Sequence, residues 1–165
     1  MTQKQAVRRV LLAGLWLLAI GGWLLHLAIH PPGDDRSNLI PFVSGVISVL
    51  VIPLLFSFKR TVAYGYVLNG MAAILGTLTM AADSLKQLPA TLTLGGLLLG
   101  TLLPDIVLLW GKFAVGYGLF ELELVKNEEM PHRHGRFFRY PNLGFWWVHL
   151  AAWSLIFFLG QRLWP

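Results

Sequence analysis

Apolar runs about as long as a bilayer is thick recur along this chain, and they leave few folds open. Five of them, residues 10–29, 39–58, 61–82, 91–111 and 143–163, are separated by short polar or charged stretches. A helix needs roughly 20 apolar residues to cross a membrane. Inside lipid every backbone polar group must be satisfied within the protein, which favours helices. The runs therefore predict an all-α fold: a polytopic bundle of five transmembrane spans forming one integral membrane domain over residues 1–165. Only 13% of residues are charged, against about 25% in a soluble domain. The chain has no cysteine, which removes disulfides, thiolate metal sites and cysteine nucleophiles.

The N-terminal run has Lys4, Arg8 and Arg9 before it and His30-Pro31-Pro32 after it. It is longer than a signal-peptide core and offers no small-residue cleavage site, so it reads as a retained first span. In the third run Gly65, Asn69, Ala73 and Gly76 fall on one helical face, as do Gly96 and Gly100 in the fourth. Small residues so placed let helices approach closely. The fourth run ends either near Trp110, with a cytoplasmic loop over 112–142, or at Phe120, because 113–120 is uncharged.

Five spans divide the 13 Lys and Arg residues ten to three. Lys4, Arg8, Arg9, Lys59, Arg60, Lys112, Lys126, Arg133, Arg136 and Arg139 fall on one side, and Arg36, Lys86 and Arg162 on the other. The positive-inside rule puts the N-terminus in the cytoplasm and the C-terminus outside. Short hairpins suit a bacterial inner membrane. Net charge is +5, but the basic residues flank apolar runs, so anionic lipid rather than nucleic acid is the expected partner.

Ionisable groups inside apolar runs are the natural candidates for function. If the fourth span ends near Gly111, Asp105 and His149 each lie roughly 10 Å from the cytoplasmic edge, Asn69 roughly 13 Å and Tyr66 roughly 9 Å. The four then form one polar layer, with an Asp105–His149 hydrogen bond at its centre. It serves either as a proton-relay or substrate-polarising site or as a polar clasp. If the span runs to Phe120, Asp105 moves toward the bilayer centre and can pair with Lys112, seven residues on and on the same face.

Other constellations are weaker. A bis-histidine haem between His26 and His149 would need ligands at one depth, and helix arithmetic separates them by about 15 Å. His132 and His134, with Glu128 and Glu129, are too close to Arg133 and Arg136 to favour a metal cation, so no metal or other cofactor is expected. Arg133, Arg136 and Arg139 precede Tyr140 and the Trp146–Trp147 belt, a pattern suited to anionic headgroups. The segment Arg139-Tyr140-Pro141-Asn142-Leu143-Gly144 resembles the Arg-His-Pro-x-Tyr-x-Gly segment of membrane methyltransferases of the isoprenylcysteine and phosphatidylethanolamine type. In that family the segment helps bind S-adenosylmethionine. Arg139 and Pro141 match; Tyr140 stands for the His, Leu143 for the Tyr, and Gly144 comes one place early. The Glu-rich segment that follows the next helix in that family has no counterpart before Pro165.

No P-loop, GxSxG, HExxH or dinucleotide fingerprint occurs. The expectation is a small inner-membrane protein without its own catalysis: a subunit bound to other membrane subunits, or a small carrier with an Asp/His/Asn layer. The alternative from the resemblance is a membrane enzyme modifying a lipid or isoprenoid. A haem- or quinone-binding electron-transfer subunit comes third.

Overall fold

A computed structural model describes residues 2–29, 46–86, 93, 103–125 and 141–163. Every regular element among them is helical. Helix α1 spans Gln3–Ile29. Helix α2 spans Ile52–Ser57 and is entered through a π-helical turn, Ile47–Val51. Helix α3 spans Val62–Lys86. Helix α4 spans Leu103–Phe120 and ends in a second π-helical turn, Glu121–Val125. Helix α5 spans Leu143–Leu163. Three stretches, Gln3–Leu25, Val62–Thr79 and Leu143–Gly160, are long and apolar enough to cross a membrane. The described helices overlap the five expected runs in order, and among the described residues three stretches reach membrane-spanning length.

Local sequence explains the ends. Thr2 and Gln5 form a capping box at the start of α1: Thr2 N donates to Gln5 Oε1 at 3.0 Å and Gln5 N to Thr2 Oγ1 at 3.4 Å. That cap starts the helix seven residues before the apolar run. Pro53 lacks the N–H that an α-helix would use, and the π-helical turn just before it is a local adjustment of the kind that accommodates proline. The α2–α3 hairpin uses its own polar groups to satisfy the end of α2. Thr61 Oγ1 donates to Leu55 O at 2.7 Å, and the Arg8 guanidinium donates to Ser57 O at 2.9 Å. Asn142 caps α5 by accepting from Phe145 N at 2.8 Å.

Packing fixes the register. Leu11 lies over Gly118, Val115 over Gly14 and Leu18 over Gly111, so α1 and α4 run antiparallel. Asn69 lies against Gly116 and Leu109 against Gly76, so α3 and α4 are antiparallel too. Gly65 takes Leu55 and Phe56 of α2 on the same α3 face. The start of α1, the end of α2, the start of α3, the end of α4 and the start of α5 therefore gather at one end of the bundle. The Gly96 and Gly100 pair lies outside the described residues.

Of the two ends expected for the fourth run, the structure takes the later one. Helix α4 passes through Lys112 without a break and reaches Phe120, so no loop begins at residue 112. Phe113, Leu119 and Phe120 are buried, and their burial carries the helix on. Lys112, with 4% of its surface exposed, belongs to the interior. Removing it from the cytoplasmic tally leaves nine basic residues there against three.

Candidate functional site

The polar groups of the core gather where α3, α4 and the first turn of α5 meet. Tyr66 and Asn69 sit on α3, three residues apart and therefore on one face. Both are fully buried. The Tyr66 ring stacks on Phe120 at 4.1 Å and meets the Trp146 indole edge-on at 6.0 Å. Its hydroxyl donates to Pro141 O and accepts from Trp146 Nε1 at 2.9 Å. Burying a tyrosine hydroxyl is costly without partners, and here both its donor and an acceptor lone pair are used.

Asn69 reaches α4 instead. Its Nδ2 donates to the backbone carbonyl of Lys112 at 3.2 Å. A side chain can approach a helix backbone that closely because residue 116 is glycine: a Cβ there would lie 2.4 Å from Asn69 Nδ2. Asn69 Oδ1 is buried and has no hydrogen-bond partner among the described residues. The Lys112 ammonium extends across the bundle to Ser48 Oγ on the first π-helical turn. Among the described residues that is its one hydrogen bond. Ser48, Lys112 and Asn69 thus form a largely buried polar group joining the first π-helical turn, α3 and α4.

The expected four-residue layer is only partly assembled. Tyr66 and Asn69 belong together, and the chain brings Trp146 to them. Asp105 lies eleven residues from Gly116 along the same helix, about 16 Å by helix rise, so it shares no layer with Asn69. The Asp105 side chain lies outside the description. His149 stands one turn beyond Trp146. Its Nδ1 contacts its own helix at Phe145 O, 2.8 Å away, and its ring lies 3.8 Å from the Phe145 ring. Arg133, Arg136, Arg139, His132 and His134 lie outside the described residues. Of the segment resembling the methyltransferases, Pro141 accepts the Tyr66 hydroxyl and Asn142 caps α5.

A second ionic group closes the gathered end. Arg8 Nε and Glu123 Oε1 are 2.8 Å apart, with the N–H off the direct line, and the Glu123 side chain is 4% exposed. The α1–α4 register brings Arg8 level with this π-helical turn. Sequence reasoning reached Lys112 only as a partner for Asp105 in a span running to Phe120, and missed Ser48 and the Arg8–Glu123 pair. The uncharged stretch after Lys112 was the available signal for the lysine; nothing in the sequence singles out Ser48.

The arrangement can hold charge and hydrogen bonds in a dry interior. It does not join a nucleophile to a base among the described residues. No protein-family model matches the chain, and neither a curated protein nor a solved structure matches it.

Proposed function

We propose that this chain is a five-span protein of a bacterial inner membrane, without catalysis of its own, working as a small carrier through the buried group around Lys112. The single observation that carries the reading is a lysine, 4% exposed, within a largely apolar helix. An ionisable residue kept inside a membrane bundle is costly and marks a transport or binding site by default. The alternation of helix ends supports five crossings. The gathered end carries Lys4, Arg8, Arg9, Lys59 and Arg60, which supports its assignment to the cytoplasm.

The subunit reading draws on a different observation. Trp146 is the one buried side chain among those described in α5, and the helix otherwise exposes Trp153, Ile156 and Phe158. Lipid or another membrane subunit would cover that surface. Anionic lipid is the proposed partner of Arg133, Arg136 and Arg139.

Mild-detergent purification followed by mass spectrometry of everything retained tests both readings. A stoichiometric protein partner favours the subunit. Carrier activity requires that the chain, alone in vesicles, moves a solute in a manner lost on replacing Lys112. Vesicles that stay as tight as empty ones toward small anions and cations would refute it.

A further inference from the structure

The ammonium of Lys112 has three donors, and one of them goes to Ser48 Oγ, a neutral group. No carboxylate among the described side chains neutralises it. Glu123 is eleven residues away, about 16 Å along the helix, and is paired with Arg8. Asp105 lies seven residues the other way on the same face, about 10 Å by helix rise. The Asp105 side chain lies outside the described residues, and the lysine itself extends sideways to Ser48. Among the described side chains, then, the buried cation is held by one neutral hydroxyl, which leaves most of its desolvation cost uncompensated.

An anion would remove that cost. Two ammonium donors remain for it, and Ser48 can turn its own O–H toward the same ligand. The π-helical turn that presents Ser48 is a kind of irregularity often found at functional sites. Packing limits the size: Asn69 and Phe56 already press on Gly116, one turn from Lys112. Charge limits the valence, since one ammonium is present and the Arg8 guanidinium is engaged by Glu123 and the Ser57 carbonyl. We infer that Lys112 and Ser48 form a binding site for a small singly charged anion, a halide or a carboxylate of formate or acetate size. The inference rests on the Lys112 centre proposed above and names its ligand class.

The test uses the full chain purified in mild detergent. Chloride is titrated while its NMR line width is followed, and formate and acetate are added as competitors. Saturable broadening is expected in the wild-type protein. Lys112→Arg should retain it, Lys112→Gln should weaken binding by about tenfold or more, and the hairpin variant Lys59→Gln should match wild type. Displacement by formate or acetate at lower concentration than chloride assigns the site to carboxylates; the reverse assigns it to halides. Because removing a buried lysine can unfold the bundle, Ser48→Ala provides a second variant: it keeps the charge and should weaken binding with the fold intact. Equal broadening in wild type and Lys112→Gln, or none in wild type together with no thermal stabilisation by any of the three anions, overturns the site. Anion binding without anion flux in reconstituted vesicles removes the carrier reading and leaves the site standing.

Discussion

Replacing Gly70 by alanine should detach α5 from the bundle. Trp146 is buried, lies flat over Gly70 and anchors a helix that is otherwise exposed. An alanine Cβ would meet Trp146 at 2.4 Å from both Cε2 and Cζ2. Restoring ordinary contact, about 3.5 Å between carbons, requires a displacement of roughly 1 Å. The indole cannot swing away freely, because Tyr66 holds its Nε1 at 2.9 Å and the Phe113 ring lies roughly perpendicular to it, with centroids 6.0 Å apart. Overpacking of this kind costs about 1–3 kcal/mol, and loss of the indole hydrogen bond adds about 1 kcal/mol. The better helix propensity of alanine offsets up to about 1 kcal/mol. The expected net loss is about 1–3 kcal/mol.

Gly21 supplies the control. Nothing lies within 4 Å of a Cβ built there, so Gly21→Ala should be neutral or slightly stabilising. The assay is thermal unfolding in detergent, with tryptophan emission followed alongside. Gly70→Ala should melt earlier and shift its emission as Trp146 moves. If Gly70→Ala and Gly21→Ala unfold together with unchanged emission, the packing of Trp146 on Gly70 is refuted.

Removing one partner of the Arg8–Glu123 pair, by Arg8→Gln or Glu123→Gln, should cost about 2–4 kcal/mol in detergent unfolding; wild-type stability in both would mean that the pair does not hold α1 against α4. Tyr66→Phe leaves the Trp146 N–H and Pro141 carbonyl without their buried partner and should cost about 1–3 kcal/mol, read by the same unfolding assay. Reporter fusions after Ser57 and Glu129 should report cytoplasm, and those after Asp34 and Lys86 the opposite side; a cytoplasmic C-terminal fusion would rule out five spans in this orientation. Replacing Arg133, Arg136 and Arg139 together by Gln should lower the anionic lipid retained after extraction, since each is worth about 1 kcal/mol at an anionic surface; unchanged retention would remove that contact.

The helices were legible because apolar length is a property of a single segment. So was the close-packing face of α3, where a glycine at residue 65 or 76 leaves room for α2 or α4. Tyr66 and Asn69 were legible as inward polar groups for the same reason. Their partners were not. Trp146 belongs to an aromatic pair at a span start, and such pairs usually sit in the interface. Its burial depends on Gly70, 76 residues earlier, and no local pattern links the two. Ser48 is one hydroxyl in an apolar run, and its role comes from a turn geometry that only the folded chain reveals.

Depth was the question the sequence left open, and the reason is physical. A lysine after an apolar run normally marks the membrane edge, because the positive-inside rule concentrates lysines there. Taking Lys112 as that edge brought Asp105 to the depth of Asn69. The α1–α4 register reverses the inference. With Leu18 over Gly111 and Leu11 over Gly118, the Arg8–Glu123 pair lies at the gathered end of the bundle. Lys112 then sits about 16 Å of helix inside that pair, and Asp105 about 10 Å deeper. The spacing held a clue that the charge itself concealed. Residues 105, 112 and 116 are separated by seven and four positions, which places them within roughly 40° on one helix face. A charge marking an edge need share no face with charges further in, whereas charges serving the interior of a bundle must. Face-sharing with Gly116, against which Asn69 packs, is therefore the stronger guide to where the Lys112 charge resides, and it points inward.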